Sequence, residues 1–264
     1  MPVITLTSDY GLTDHYLAAV KGVIISELQD VNLVDISHSI QPGNFYEASF
    51  ILRNCYESFP EGTVHLVAVQ EITENKRLLA AEIDRHFFLT ADNGLLSMIN
   101  PEIKIGMVVE INLNRDTSLF PARDVLARAA GHLARGGSLG LLGREVKDYK
   151  ESVLMRPRIP NEGSLILGSV LYVDNFGNLI TNISRKTFHE VGKERPFEII
   201  LPRRYILRKI QESYYPSSKG NVIALFNSQN LLEIAVSEAR GKFFNGANTL
   251  LGVDVQDTIT VTFK

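Results

Sequence analysis

Three short segments of this 264-residue chain gather side chains suited to a flat, polar ligand. The first is Ser8-Asp9-Tyr10-Gly11-Leu12-Thr13-Asp14-His15-Tyr16, directly after an apolar β-branched run. An ionised carboxylate only accepts hydrogen bonds, so Asp9 suits a ribose diol. A plainer alternative has Asp14 capping the next helix and Asp9 holding the turn at Gly11. The second segment runs from Tyr172 through Asp174, Asn175, Phe176, Gly177 and Asn178 to Ser184. It reads as a hairpin turn, yet Phe176 between Asp174 and Asn178 also makes a wall for adenine or an amino-acid moiety. In the third, Asn227 and Ser228 precede Leu231, Leu232 and Ile234. They could cap a helical stretch or present donors to a carboxylate.

The elements that must carry these loops follow from hydrophobic periodicity. Residues 2–7 predict a strand, and Tyr16, Val20, Val23, Ile24 and Leu28 recur at helical spacing behind it. Strands at 31–36 and 63–69, a helix at 44–57, two further strands at 77–83 and 86–90, and a helix at 122–136 complete an α/β domain. In such a sheet Asp9 lies at the carboxyl edge, the usual ligand crevice. The expected domains are 1–152, a Pro- and Gly-containing linker at 153–163, and a mainly β domain at 164–264. In the last, strands are expected at 164–173, 178–183, 196–200, 221–226 and 257–263, with helical period confined to 228–243.

Composition narrows the partners. A net charge of -3 provides no basic surplus for phosphates, so nucleic acid is not expected. A single cysteine, Cys55, allows no internal disulfide and no cysteine zinc site, and no metal is expected. The start, MPVITLTSDYG, has no basic flank and no uninterrupted apolar core, and no run has the length of a membrane span. These features predict a cytoplasmic protein with a small-molecule ligand and no membrane partner.

Together, and in this order, the three segments resemble the S-adenosylmethionine hydroxide adenosyltransferase family, which also contains the fluorinases and chlorinases. The resemblance extends to VDISHSIQPGN at 34–44, FPEGTVHLVAV at 59–69, ADNGLL at 91–96 and ARDVLARAAGHLARGG at 122–137. It implies an α/β N-terminal domain with a mixed or mostly parallel sheet and flanking helices, and a smaller, mainly β C-terminal domain. It also implies a homotrimer whose adenosyl ligand lies between one subunit's first domain and its neighbour's second. By position, Asp9 would bind the ribose hydroxyls, and Asp14 and Tyr16 would lie near the methionine portion. Asp174 would meet the ammonium, Ser228 the carboxylate, and Phe176 and Asn178 the adenosyl group. No cofactor is implied, S-adenosyl-L-methionine being the substrate or ligand.

Family hydrolases direct water to the ribose 5′ carbon, displacing methionine and leaving adenosine. The leaving thioether is neutral, so the difficulty lies in orienting and deprotonating the water. The family assigns this to an Asp in Asp-Pro-Gly-Val-Gly, an Arg shortly after it, and a His in Phe-His-Gly-Arg-Asp. Here Gln70 occupies the Asp position, Arg77 the Arg position and Pro121 the His position. Glu71 is the nearest carboxylate that could substitute. His38, His65 and His132 read as packing residues. Hydrolysis with altered catalytic groups is the expected activity. The alternatives are a non-hydrolytic binding protein, or an enzyme on another nucleoside, to which the small Gly43 points. Halogenation is disfavoured, because the stretch between Gly94 and Arg123 leaves little room for the halogenases' extra loop.

Overall fold

The structure, a computed structural model, describes residues 1–112, 118–160, 163–215, 219–238 and 245–264. The chain divides into two compact units, Met1–Val153 and Leu154–Lys264. Unit 1 carries β1 (Val3–Ser8), α1 (Tyr16–Glu27), β2 (Asn32–Ser37), α2 (Phe45–Arg53), β3 (Val64–Ala68), β4 (Leu78–Ile83), β5 (His86–Ala91), α3 (Leu96–Ile99), β6 (Val108–Ile111), α4 (Ala127–Ala134) and β7 (Gly143–Glu145). Its sheet has the order β2-β1-β3-β5-β4-β6-β7. The first four strands are parallel and the last three antiparallel, so the sheet is mixed.

The parallel strands are apolar on both sides because both faces are covered. Along β3, Leu66 joins Ile4, Ile24 and the α4 residues Ala130 and Leu133 on one face. Its neighbour Val67 joins Leu52 of α2 and Leu95 beside α3 on the other. This is the two-residue alternation of a strand dividing one apolar run between two cores. The switch to antiparallel pairing occurs at Asp84-Arg85, both at positive φ (50° and 62°), a two-residue hairpin of the kind that matches strand twist.

Unit 2 carries β8 (Leu165–Val173), β9 (Leu179–Ser184), α5 (Arg185–Gly192), β10 (Phe197–Leu201), β11 (Tyr205–Leu207), β12 (Ile210–Gln211), β13 (Val222–Phe226), β14 (Leu231–Val236), α6 (Ala247–Leu251) and β15 (Thr258–Phe263). These strands form one sheet, β11-β10-β15-β8-β9-β14-β13-β12, antiparallel throughout except for β12 and β13. The mainly β character agrees with expectation. Residue 158 of the stretch read as a linker bridges to Leu167, while 161–162 lie outside the described residues.

Three local expectations need correction. The helix expected at 44–57 ends at Arg53 and is followed by a 3-10 turn at Tyr56–Ser58. The helix expected at 122–136 opens as a π turn, Ala122–Leu126, before becoming α4. The helical period at 228–243 is overturned: residues 231–236 form β14, paired on both sides, while 239–243 lie outside the described residues. Leu-Leu-Glu-Ile-Ala satisfies helical spacing, but a strand buried on both faces shows the same apolar run, and pairing with β9 and β13 decides. Of the helices in unit 2, α5 has its signal in Ser184, whose hydroxyl accepts from the Thr187 N–H as an N-cap.

Candidate functional site

At the carboxyl edge of the parallel strands, Asp9 ties three loops together. Its Oδ2 accepts the Gly43 N–H at 2.8 Å and the Gln70 N–H at 3.2 Å. Oδ1 has no protein partner among the described residues, so one oxygen fixes the side chain while the other can meet a donor. The Gly11 turn is closed instead by its own N–H on the His38 carbonyl, and α1 begins at His15 without a side-chain cap. The plainer alternatives for Asp9 and Asp14 therefore fail on geometry. Gly43 sits at φ 76°, where a side chain is strained although a Cβ would meet open space, so backbone conformation demands glycine there.

Glu71 points inward, one residue beyond Gln70, whose own side chain is exposed. One Glu71 oxygen accepts from the Tyr10 hydroxyl and the other from the Ala122 N–H, the first residue after Pro121. An N–H at the start of a helix attracts a carboxylate both by hydrogen bonding and by the helix dipole. Burial raises the Glu71 pKa, the two hydrogen bonds partly oppose this, and the charges of Asp9 and Asp124 add to the rise. The Tyr10 phenol is driven far up, first by burial and then by Glu71. Tyr10, Tyr16 and Phe120 pack ring to ring at 5.5–5.8 Å, making an aromatic wall beside the carboxylate.

Arg77 belongs to a different cluster. Its guanidinium lies 3.4 Å from Asp92, 3.4 Å from Glu110 and 3.3 Å from Asp148, and donates to the Asp148 carbonyl at 2.9 Å. Asp92 and Glu110 are both buried, so this cation compensates two carboxylates removed from water. The histidines are held by partners of their own. His38 meets Ser8 Oγ at 2.7 Å and Asp35 at 3.1 Å, and His132 meets the Ser138 carbonyl at 3.0 Å. His65, fully buried against Thr5 and His86, is pushed down to about 3 by burial and by His86, and so stays neutral at ordinary pH.

In unit 2 the second segment is the β8–β9 hairpin. The Asp174 carboxylate accepts from the backbone N–H groups of Phe176 (2.8 Å) and Asn178 (2.9 Å) and from Asn178 Nδ2 (2.9 Å). Phe176 is left 59% exposed at the tip. The Asn248 N–H donates to the Gly177 carbonyl at 3.0 Å, and a Cβ on Gly246 would come within 2.8 Å of Gly177, so backbone closeness requires glycine there. The third segment is the β13–β14 hairpin rather than a helix start. Asn227 Oδ1 accepts from the N–H groups of Gln229 and Leu231, and Ser228 is exposed. Sequence reasoning missed Glu233 and Tyr214: Glu233 is 2% exposed in β14 and accepts from Tyr214 Oη at 2.9 Å and Asn227 Nδ2 at 3.0 Å. A lone acid within Leu-Leu-Glu-Ile-Ala-Val was the available signal, because a buried carboxyl needs dedicated partners.

Among the described residues no group of three His, Cys, Asp or Glu side chains could hold a metal ion, and no helix is long and apolar enough to cross a membrane. Residues 4–143 match the SAM hydroxide adenosyltransferase N-terminal domain, and residues 168–260 match the C-terminal domain of the same family. The chain belongs to the SAM hydroxide adenosyltransferase family. It is 29% identical to an (R)-S-adenosyl-L-methionine hydrolase of Methanocaldococcus jannaschii, over 100% of this chain and 97% of the relative. It is also 29% identical to a fluorinase of Actinopolyspora mzabensis, over 72% of this chain and 74% of the relative. A crystal structure of an uncharacterised conserved protein from Thermotoga maritima superposes with a TM-score of 0.86 at 26% identity, covering 98% of this chain and 99% of that one. As a SAM hydroxide adenosyltransferase family member, the chain is expected to have an adenosyl small molecule as its ligand.

Proposed function

We propose that the chain hydrolyses S-adenosyl-L-methionine to adenosine and L-methionine, with Glu71 receiving the proton of the attacking water. In this reading the C5′–O bond forms as the C5′–S bond breaks. The sulfur leaves with the electron pair as a neutral thioether, and the water proton passes to the carboxylate. The observation that carries the reading is the position of Glu71. It is hydrogen-bonded to the residue after Pro121 and lies beside Gln70, so one carboxylate spans the two places where the family's acid and base are replaced. Two accepted hydrogen bonds leave a carboxylate further lone-pair capacity for a water.

Asp9 enters as the ribose ligand through Oδ1, and Asp14 and Tyr16 line the approach to the methionine end. Phe176 and Asn178 serve the adenosyl group, while Asp174, Asn227 and Ser228 serve the amino-acid end. The reading includes a homotrimer in which a second chain completes each site, which light scattering on the purified protein checks by mass. Gln70 orients water through its amide, and Arg77 acts through the buried carboxylates it holds. Turnover in ¹⁸O-labelled water is the test: label is expected in the 5′ hydroxyl of adenosine, and unlabelled adenosine or none at all sinks the proposal.

Phe176 offers a separate check on binding. Stacking of a base on an aromatic ring is worth about 1–3 kcal/mol. Phe176→Ala is therefore expected to weaken adenosine affinity by about tenfold or more in calorimetry. Because the ring is 59% exposed, the variant's melting temperature should stay close to that of the parent protein. A second reading, an adenosyl-ligand binding protein without turnover, is favoured by the neutral side chain at Gln70 and the absence of an ionisable group at Pro121. Tight binding of S-adenosyl-L-methionine with no adenosine formed selects it.

A further inference from the structure

Glu233 joins two parts of unit 2 that are separate in sequence. From the middle of β14, opposite Leu225 on one side and Ile180 on the other, its buried carboxylate takes the Tyr214 hydroxyl at 2.9 Å and the Asn227 amide at 3.0 Å. The direction of the Asn227 amide is not free. Its Oδ1 must face the N–H groups of Gln229 (3.0 Å) and Leu231 (3.1 Å), so its NH₂ must find an acceptor. Glu233 is that acceptor, and the Asn227–Asn230 turn, with Ser228 in it, is set by this bond. Asn230 closes the turn at φ 57°, and its carbonyl accepts the Arg185 N–H at 2.7 Å. Burial raises both Tyr214 and Glu233; the Glu233 carboxylate adds to the rise at Tyr214, the hydrogen bonds from Asn227 and Tyr214 oppose it at Glu233, and the charge of Asp174 adds last to both.

We propose that Glu233 is a positioning residue for the amino-acid end of the ligand: it locks the Ser228 turn and the Tyr214 ring into one hydrogen-bonded unit beside Asp174. The inference rests on the reading above that this end of unit 2 takes the methionine portion. Glu233 does not touch the ligand, and its negative charge is not what the ligand reads. Adenosine, which lacks the amino-acid portion, is indifferent to it.

Glu233→Leu strands the buried Asn227 amide and releases the 40% exposed Tyr214 to water. A buried donor without a partner frees the Ser228 turn, which is expected to cost about tenfold or more in affinity. Calorimetry should show S-adenosyl-L-methionine binding weakened by at least tenfold and adenosine binding changed by less than about twofold. Glu233→Gln restores the function: its oxygen accepts the Asn227 amide and the Tyr214 hydroxyl turns to accept from its NH₂, so both affinities stay within about threefold of the parent. Should Glu233→Leu fail to fold, Glu233→Asp provides the same test: it keeps the charge but, one methylene shorter, cannot reach both the Tyr214 hydroxyl and the Asn227 amide, so S-adenosyl-L-methionine affinity falls about tenfold while adenosine affinity stays within about twofold. Amide exchange at Gln229 and Leu231 reads the turn with no ligand present, and should quicken about tenfold in Glu233→Leu and not in Glu233→Gln. Equal loss of both ligands, loss in Glu233→Gln, or unchanged exchange in Glu233→Leu overturns the proposal. A parent protein that binds neither ligand overturns the hydrolase reading instead and leaves the exchange result to decide this one.

Discussion

Glu71→Gln is expected to lower kcat for adenosine release by about 100- to 10,000-fold, the range a positioned general base contributes. The amide fits the same place. Its oxygen can accept the Ala122 N–H and its NH₂ can donate to the Tyr10 oxygen, so the loss reports chemistry rather than collapse. The pH profile gives a second readout. Burial is the largest influence on Glu71 and raises its pKa above the ordinary 4.5. The basic form is therefore lost at a higher pH than for a free carboxylate, and kcat/KM of the parent protein should fall along an acid limb that the variant lacks.

Stability moves the other way. With its pKa raised in the fold, Glu71 binds a proton more tightly there than in the unfolded chain. Its contribution is fullest at acid pH and declines as pH rises through the folded value. At neutral pH the Gln variant should melt no lower than the parent, a trade of stability for function common at active sites. A variant that keeps activity within a few-fold removes Glu71 from the mechanism.

Arg77→Met carries the largest expected effect on folding. Removing one partner of a buried ion pair costs about 3–5 kcal/mol, because the remaining charge stays buried and uncompensated. Here Asp92 and Glu110 both lose their shared cation, although Lys150 N–H and Asn75 still donate to Asp92 and Arg144 to Glu110. Asp148 is 83% exposed and contributes little to the cost. Arg77→Lys should fall between the two, since one ammonium cannot span the positions that the guanidinium reaches. Urea denaturation checks both variants. A loss below about 1 kcal/mol in Arg77→Met would show that the cluster does not depend on this cation, and a kcat loss in Arg77→Lys without loss of stability would return Arg77 to the water.

Both residues could be read from the chain as candidates, but not by their contacts. Glu71 and Arg77 were visible as candidates because each stands at or beside a position where the family resemblance implies a charged group. That one carboxylate would face Tyr10 and Ala122, and that the guanidinium would face Asp92 and Glu110, could not be seen. Ala122 lies 51 residues from Glu71, and Asp148 lies 71 residues from Arg77. The segment around β14 failed for a related reason. Its apolar spacing satisfied a helix, and strand pairing with β9 across about fifty residues of chain decided otherwise.

What the sequence determined by itself rests on local burial and turn chemistry. The strand that became β3, the hairpin at Asp174 to Asn178, the mainly β second unit, and Asp9 at a strand's carboxyl edge all belong here. The tertiary structure alone decided where each carboxylate spends its lone pairs: Asp9 on Gly43 and Gln70, Glu71 on Tyr10 and Ala122, Glu233 on Tyr214 and Asn227. The physical reason is range. Hydrophobic periodicity records which face of a segment leaves water, and that is a property of neighbouring residues. A hydrogen bond needs a donor within about 3 Å, and which distant loop supplies it is settled only when the sheets and helices have packed.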